Sequence, residues 1–523
     1  MTLPRRRTGR LLALVSAAVL SVLTACSTPA AVSPSARPTA PSSSQTPSVP
    51  VHPEDAEPGR PGTEDFGVST TGAPGEIEGF ANPSSATPGT AVALHVSTTA
   101  PTVTVTAFRM GGYTGGRARQ IWSGIAAGTK QGSATLVAET RTVVAAWDAT
   151  TSMDTTGWPA GFYLFRLQVP SGAGWLVPFI LRSPSTKDRV ALVAPTLTWQ
   201  AYNDWGGRSL YKGPNGFGSR SYAVSFDRPY PAPGAGEFLW AVLPFVVTAE
   251  QAGVPLAYLA DTDMEADPAA LEGARGAVSV GHDEYWTTTR RERWDAARDT
   301  GTNLLITSAN ALYWRVRLGD GVGGSGPHRL VTGYKQSPDP QANTDPRNAT
   351  TLFKLDPGAE PPEKSIGLRY ECYPASVAFT VADPGWWGFA GASVSAGTSF
   401  PHLMGIETDR YYPLATTPRP MRVLANQDYS CKGVPTSAQA VEYAVPSGAV
   451  VVNLNSMRWS CALALGCRDF DFTADEAVNS FAATVTKTIL TEFAKGPVAK
   501  RHPVEDTVAT LDVPAKRTVY PDP

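Results

Sequence analysis

Ala277-Val278-Ser279-Val280-Gly281-His282-Asp283-Glu284-Tyr285-Trp286 is a short apolar run that breaks at a glycine into a polar and aromatic cluster. The first four residues suit a buried strand, and Gly281 lets the backbone turn off its end. His282 and Glu284 then project beyond that end. A helix is predicted next over residues 287–298, stopped near Gly301, and residues 303–307 read as another buried strand. The same alternation holds upstream. Residues 189–194 are a buried strand, 238–252 suit a helix ending at Gly253, and 256–259 are a strand followed by Asp261 and Asp263. Strands alternating with helices imply an α/β domain with a mostly parallel sheet. In such sheets the chemistry sits at the carboxyl ends of strands. Three polar clusters fall there: Asp261 with Asp263, His282 with Glu284, and Ser308 with Asn310.

Further out the pattern changes on both sides. Residues 369–466 are rich in Pro, Gly and aromatics, and read as largely irregular chain that decorates the sheet and covers its site. Within them 449–454 is a strand; 474–493 is a closing helix, and a Pro-rich tail follows. On the amino side, residues 91–96 and 102–106 alternate with period two. Further strands are expected at 143–147, 162–167 and 175–181, with Pro and Gly between them. Their sum is an immunoglobulin-like β-sandwich without that fold's disulfide.

The N-terminus bears on compartment. Arg5, Arg6, Arg7 and Arg10 precede an apolar run over residues 11–23, too short for a comfortable membrane span and placed as a signal peptide is. It ends in Leu23-Thr24-Ala25-Cys26, a lipobox-like stretch in which Cys26 becomes the acylated N-terminus. Paired arginines leave export of a prefolded chain open beside the general secretory route. Residues 27–71 are rich in Ser, Pro, Thr and Ala and almost without large apolar residues, unable to bury enough surface to offset ordering entropy, so they read as a stalk. The expected plan is a lipoprotein signal at 1–25, a disordered stalk at 26–75, a sandwich at 76–185, an α/β domain at 186–497 and a tail at 498–523. The expected location is the outer face of a cell membrane, through lipid on Cys26.

Net charge is −2 and no basic stripe appears, which argues against nucleic acid as a partner. Cys372, Cys431, Cys461 and Cys467 are an even set in an oxidising compartment, so two disulfides are expected. Of three possible pairings, the one favoured closes the short loop Cys461–Cys467 and joins Cys372 to Cys431. G-x-S-x-G and H-E-x-x-H are both missing, and six histidines make a His-rich zinc site a poor fit. Gly319, Gly321 and Gly324 match G-x-G-x-x-G but run on into Gly and Pro, so they read as loop.

Four clusters could carry chemistry. Glu284 in GHDEYW either serves the crevice or caps the following helix. Trp199-Gln200-Ala201-Tyr202-Asn203-Asp204-Trp205-Gly206-Gly207 reads as a strand-end loop in the same crevice, or as a packed aromatic corner. Phe226-Asp227-Arg228-Pro229-Tyr230 is the third. Asn310 in Ser308-Ala309-Asn310 could hold an amide or serve a turn. Glu407 is a further acid.

Taken in order, WQAYNDWGG with Tyr202, FDRPY, GHDEYW and SANALYWRVR resemble the large (β) subunit of N,N-dimethylformamidase and its relatives. FRMGGYTGG and GFYLFRL upstream resemble that family's sandwich domain, and the likeness runs from about residue 76 to 495. It implies a class I glutamine-amidotransferase-like α/β domain and a mononuclear iron, held by two tyrosines and one glutamate, that hydrolyses a small amide. Carried over by residue, Glu284 is the carboxylate ligand and Tyr202 one tyrosinate. Tyr163 of GFYLFRL is the other, with Tyr230 of FDRPY as its rival. His282 and Asn310 support the ligands or hold substrate, and Glu407 is the acid/base. Tyrosinate and carboxylate are hard donors that suit Fe(III) better than zinc. The metal's charge must bring tyrosine down from its usual pKa of about 10. It would act as a Lewis acid without redox change, while Glu407 or His282 moves a proton to the leaving amine.

A stalked lipoprotein departs from a cytoplasmic degradative amidase, so the substrate is expected to be a small amide other than dimethylformamide. A small partner subunit or a homo-oligomer is compatible with the resemblance. The competing reading is a non-catalytic envelope protein that binds glycan, peptide or protein on the same scaffold.

Overall fold

The short alternating runs between residues 77 and 181 pair into two sheets in the computed structural model, which describes residues 52–464, 466–467 and 472–511. The signal segment, Cys26 and the stalk up to residue 51 lie outside these. Ile77–Asn82, Ala91–Thr98 and Thr151–Asp154 make one sheet. Ser85–Ala86, Gly174–Leu181, Gly161–Gln168, Thr102–Tyr113 and Gly116–Ala127 make the other, in that spatial order. Val92, Leu94 and Val96 meet Val103, Val105, Phe165 and Leu167 in the core between them. Phe162 and Leu164 point the opposite way, into a second core shared with Val190, Leu192 and Phe238. The run GFYLFRL is almost continuously apolar because both its faces are covered.

The second core belongs to a seven-stranded sheet. Its spatial order is Leu256–Ala260, Val190–Ala194, Gly276–Ser279, Asn303–Ile306, Val450–Asn453, Val434–Ala444 and Met421–Cys431. The first five strands are parallel and the last two antiparallel. Leu192, Val278, Leu305 and Val452 face Phe245, Val485 and Ile489 of the helices Leu243–Glu250 and Glu476–Ala494. Ala191, Val193, Leu304 and Ile306 face Trp294 and Ala297 of the helix Thr288–Asp299. Counted over its whole length the described chain is mostly β, with several sheets and few helices.

A buried ion pair joins the two layers. Arg109 Nη2 lies 2.8 Å from Glu250 Oε1 with both side chains fully buried. Tyr258 donates to the same oxygen at 2.7 Å, and the Gly112 N–H donates to Oε2 at 2.7 Å. A Cβ on Gly111 would fall 2.1 Å from Glu250 Oε2, so the carboxylate reaches this strand only because FRMGGY carries glycine there.

Several expectations need correction. The stalk was expected to run to residue 75, yet the chain packs from Pro53 onward. Asp55 pairs with Arg189 at 2.6 Å, Glu57 with Arg119 at 2.7 Å, and Phe66 is buried. Its acids find partners on the folded body, which low hydrophobicity did not foretell. Residues 369–466 are not irregular: Arg369–Thr380 pairs with Ser399–Arg410, and Met421–Cys431 with Val434–Ala444. Register shifts around Cys372 and Ala375, with Pro374 between them, break the period-two signal. The stretch read as a strand-end loop at WQAY is a helix, Thr196–Tyr202. The tail packs through Thr507, whose N–H donates to Met421 O at 2.9 Å. The cysteines are joined as Cys372–Cys431 and Cys461–Cys467. No helix among the described residues is long and apolar enough to cross a membrane.

Glu442 lies buried in the sheet, with Oε1 accepting from Trp387 Nε1 at 2.7 Å. Burial raises its pKa to about 7. The folded state therefore holds this proton more tightly than the unfolded chain does. Stability from this group is full below the unfolded carboxyl pKa and is lost as pH rises towards 7. The loss is on the order of 2–3 kcal/mol. Glu442→Gln should flatten that slope and be more stable than the parent at pH 8, as read by chemical denaturation at pH 5 and 8. An unchanged slope would contradict the burial argument.

Candidate active site

Four chain segments meet at the carboxyl ends of the parallel strands. Asp261, just past its strand, accepts the Thr196 and Leu197 N–H groups at 3.0 Å each and so starts the helix that ends in Tyr202. Thr198 Oγ1 on that helix accepts the Glu284 N–H at 3.1 Å and the Tyr285 N–H at 3.2 Å. This locks the helix to the GHDEYW turn. Gly281 has φ +78°, and a Cβ there would meet Ala241 Cβ at 2.7 Å. Asp283 takes Arg290 Nη1 at 2.7 Å and Ser279 Oγ at 2.6 Å. Thr287, not Glu284, caps the helix Thr288–Asp299, accepting from the Arg290 N–H. Glu284 is thereby left to the crevice.

Both oxygens of Glu284 are engaged by phenols. Tyr202 donates to Oε2 at 2.7 Å and Tyr211 to Oε1 at 2.6 Å. The two rings lie 4.8 Å apart, with Tyr285 edge-on to both. His282 Nε2 stands 3.8 Å from Glu284 Oε2 and 3.6 Å from Glu407 Oε2. Asn310 donates from Nδ2 to Glu407 Oε1 at 3.1 Å, and its own N–H goes to Asp409 Oδ1 at 2.8 Å. Asn310 sits at φ +55°, a left-handed conformation in which a short polar side chain is tolerated. Lys335 Nζ lies 2.9 Å from the centroid of the Tyr211 ring.

Six polar atoms of this group are buried without a hydrogen-bond partner: His282 Nε2, Tyr285 Oη, Asn310 Oδ1, Lys335 Nζ, Glu407 Oε2 and Asp409 Oδ2. Buried polar groups are nearly always paired, so a cluster of unpaired ones marks a place built for something else to bind. Electrostatics agree. Burial, then the Glu284 charge, pushes Tyr202 and Tyr211 well above the usual phenol range. Burial, then Glu284 again, does the same to the Glu407 carboxyl. Burial draws His282 below its usual value and Lys335 well below its own. These directions favour neutral phenols, a neutral imidazole and a protonated Glu407.

The expected residues Tyr202, His282, Glu284, Asn310 and Glu407 are thus brought together, and Tyr163 is not. Its hydroxyl donates to Pro159 O at 2.6 Å inside the sandwich, and its ring stacks on Trp158. It faces the sandwich core because its place on an alternating strand sends it there. Tyr230, the rival, has its hydroxyl on Gln200. The second phenol on Glu284 is Tyr211, from the loop after the Tyr202 helix. Little in the local sequence announces it. Ser209-Leu210-Tyr211-Lys212 matches no motif, although its buried leucine within a glycine-bearing loop marks an anchored turn. Lys335 likewise sits in a stretch that matches no motif.

Two phenols and a carboxylate form a set of hard oxygen donors in one place, which fits an iron ion. Among the described residues no group of three or more His, Cys, Asp or Glu could hold a metal, so a metal in this fold would draw on tyrosine.

A Lys335→Met substitution removes a buried ammonium and keeps the side chain's length. It should raise unfolding stability by about 1–3 kcal/mol, measured by denaturant titration. Destabilisation would show that the contact with Tyr211 outweighs the cost of burial.

The model of the family described as "N,N-dimethylformamidase beta subunit-like, C-terminal" matches residues 104–471. No curated protein matches the chain. Among solved structures, a Paenibacillus sp. cycloisomaltooligosaccharide glucanotransferase in complex with cycloisomaltoheptaose is similar at 11% identity and a TM-score of 0.15. The match covers 54% of this chain and 35% of that one, and it carries no argument about fold or function. The family match covers most of the chain and every residue of the site. The chain belongs to the N,N-dimethylformamidase beta-subunit-like family.

Proposed function

We propose that this family member hydrolyses the C–N bond of a small amide, using iron held by Tyr202, Tyr211 and Glu284. The observation that carries this reading is the pair of phenol hydrogen bonds on the two oxygens of one buried carboxylate, at 2.7 and 2.6 Å. The family itself is one of amidohydrolases, which supports the reaction class. We read the larger sheet, with its five parallel strands, as the class I glutamine-amidotransferase-like α/β domain that the resemblance implies.

When bound, iron supplies Lewis-acid activation of water and of a carbonyl oxygen. Ligation requires both phenols to lose the protons they now place on Glu284. His282, neutral through burial, is free to take a proton from an attacking water. Glu407, protonated and 3.6 Å from His282, can deliver one to the departing nitrogen. Asn310 fixes the Glu407 carboxyl and keeps Oδ1 for a substrate N–H or a water. One water is consumed: its hydroxyl joins the acyl carbon, the C–N bond breaks, and the nitrogen leaves as an amine carrying the added proton.

The test is amine release from formamide, acetamide and their N-methyl and N,N-dimethyl forms by the iron-loaded chain. Turnover of at least one amide is expected. Glu407→Gln should lower kcat by about 100-fold or more while iron binding persists. A fully loaded chain that releases no amine from any of them would defeat the hydrolase reading.

We further propose that the protein is exported and anchored by lipid on Cys26. The charged segment, apolar run and Cys-bearing motif support this, and so do two disulfides, which persist in oxidising compartments. Labelled palmitate should enter the parent chain and not Cys26→Ser. Equal labelling of both would contradict the anchor.

A further inference from the structure

The segment that carries Asn310 is strained. Asn310 has φ +55° and Leu312 φ +57°, so two residues with side chains take left-handed backbone within one short turn. Such conformations persist only where neighbouring groups hold them. The Leu312 N–H donates to Asp283 O at 3.1 Å, and the Asn310 N–H to Asp409 Oδ1 at 2.8 Å. Asp409 thus anchors the backbone of the residue whose side chain holds Glu407.

Asp409 is itself held from behind. It is fully buried on the strand Ser399–Arg410. One side chain, Asn455, takes both of its backbone groups. The Asp409 N–H donates to Asn455 Oδ1 at 2.6 Å, and Asn455 Nδ2 donates to Asp409 O at 2.7 Å. Asn455 is buried and left-handed at φ +53°, just past the parallel strand Val450–Asn453, and its own N–H donates to Asn453 Oδ1 at 2.9 Å. Its amide does for Asp409 what a neighbouring strand would do, where the ladder with Arg369–Thr380 shifts register between Asp409 and Thr408. Thr408 turns to the opposite face, where its hydroxyl shares a hydrogen bond with that of Tyr429 at 2.6 Å. Glu407 and Asp409, two residues apart, share the face towards Asn310. Asp409 meets its backbone, and Glu407 meets its side chain at 3.1 Å.

We propose that Asp409 is a positioning residue of this site: as acceptor for the Asn310 N–H, it sets how Asn310 Nδ2 meets Glu407 and so keeps the Glu407 carboxyl beside His282, 3.6 Å away. The role needs an acceptor and not a charge. Burial raises the Asp409 carboxyl to about 7, and its Oδ2 has no hydrogen-bond partner. Ionised or protonated on Oδ2, the group keeps Oδ1 as an acceptor. For its kinetic consequence the inference rests on the hydrolase reading above; for its structural consequence it rests on geometry alone.

The test compares Asp409→Asn and Asp409→Ala with the iron-loaded parent, on the simple amide from which the parent releases amine fastest. An asparagine carbonyl still accepts the Asn310 N–H, and an alanine cannot. Asp409→Asn should keep kcat within about threefold, and Asp409→Ala should lose about tenfold or more, with KM and iron content little changed. In Glu407→Gln the alanine change should cost less than about twofold further, because a residue acting through Glu407 has nothing left to place. Crystal structures of both variants give a readout that needs no turnover. Asn310 Nδ2 should stay near 3.1 Å from Glu407 Oε1 in Asp409→Asn and draw away in Asp409→Ala. Asp409→Asn as slow as Asp409→Ala would make Asp409 an acid in its own right and overturn the proposal. An unmoved Asn310 in Asp409→Ala, or its full loss of kcat repeated in Glu407→Gln, would overturn it as well. Should Asp409→Ala not fold, Asp409→Asn keeps the shape and decides alone, a loss of about tenfold counting against the proposal. A loaded parent that releases no amine defeats the hydrolase reading and leaves the crystallographic comparison to decide this one.

Discussion

Glu284 is a carboxylate taken out of water, and the site is arranged around satisfying it. Removing such a charge from solvent costs several kcal/mol unless donors replace the lost water. Tyr202 and Tyr211 provide those donors through two separate segments. One is a helix whose first turn is held by Asp261, and the other is a loop that must double back to reach the second oxygen. The same demand explains the clasp between Thr198 and the GHDEYW backbone, and the close approach of Gly281 to Ala241. Under the proposed function, an iron ion would take the place of the two phenol protons.

Much of this was legible in the sequence, for physical reasons. The parallel strands are buried on both faces, so they appear as short unbroken apolar runs. Glycine and polar residues at their ends announce where the chain leaves the sheet. His282, Glu284 and Asn310 could be placed in that way. Tyr163 could not, because a family motif says which residue type matters and not which way an alternating strand points it. Tyr211 and Lys335 were hidden for the opposite reason. Each is brought in by a long connection whose return path depends on tertiary contacts and leaves no periodic trace. The hairpins after residue 369 were obscured by their bulges and prolines, and the packed start of the chain by charges whose partners lie far away in sequence.

The hairpin Arg369–Thr380 with Ser399–Arg410 turns out to be part of the site and not mere decoration. It presents Glu407 and Asp409 from one strand to the two sides of Asn310. Its first strand is joined to the sheet's last strand by Cys372–Cys431. The sandwich serves at a distance: through Arg109 and Glu250 it holds the helix Leu243–Glu250, and with it the backbone behind Gly281. Membership of the family thus fits a chain in which every layer bears on one buried carboxylate.

The central claim is that Tyr202 and Tyr211, with Glu284, form one metal-binding set. Its most direct test is the iron content and visible absorption of the full chain, compared with Tyr202→Phe, Tyr211→Phe and Tyr163→Phe. Stoichiometric iron with a tyrosinate-to-iron charge-transfer band is expected in the parent chain. The band should weaken or vanish in Tyr202→Phe and Tyr211→Phe and persist in Tyr163→Phe. A chain that takes up no iron, or a band lost in Tyr163→Phe and kept in Tyr211→Phe, would contradict it.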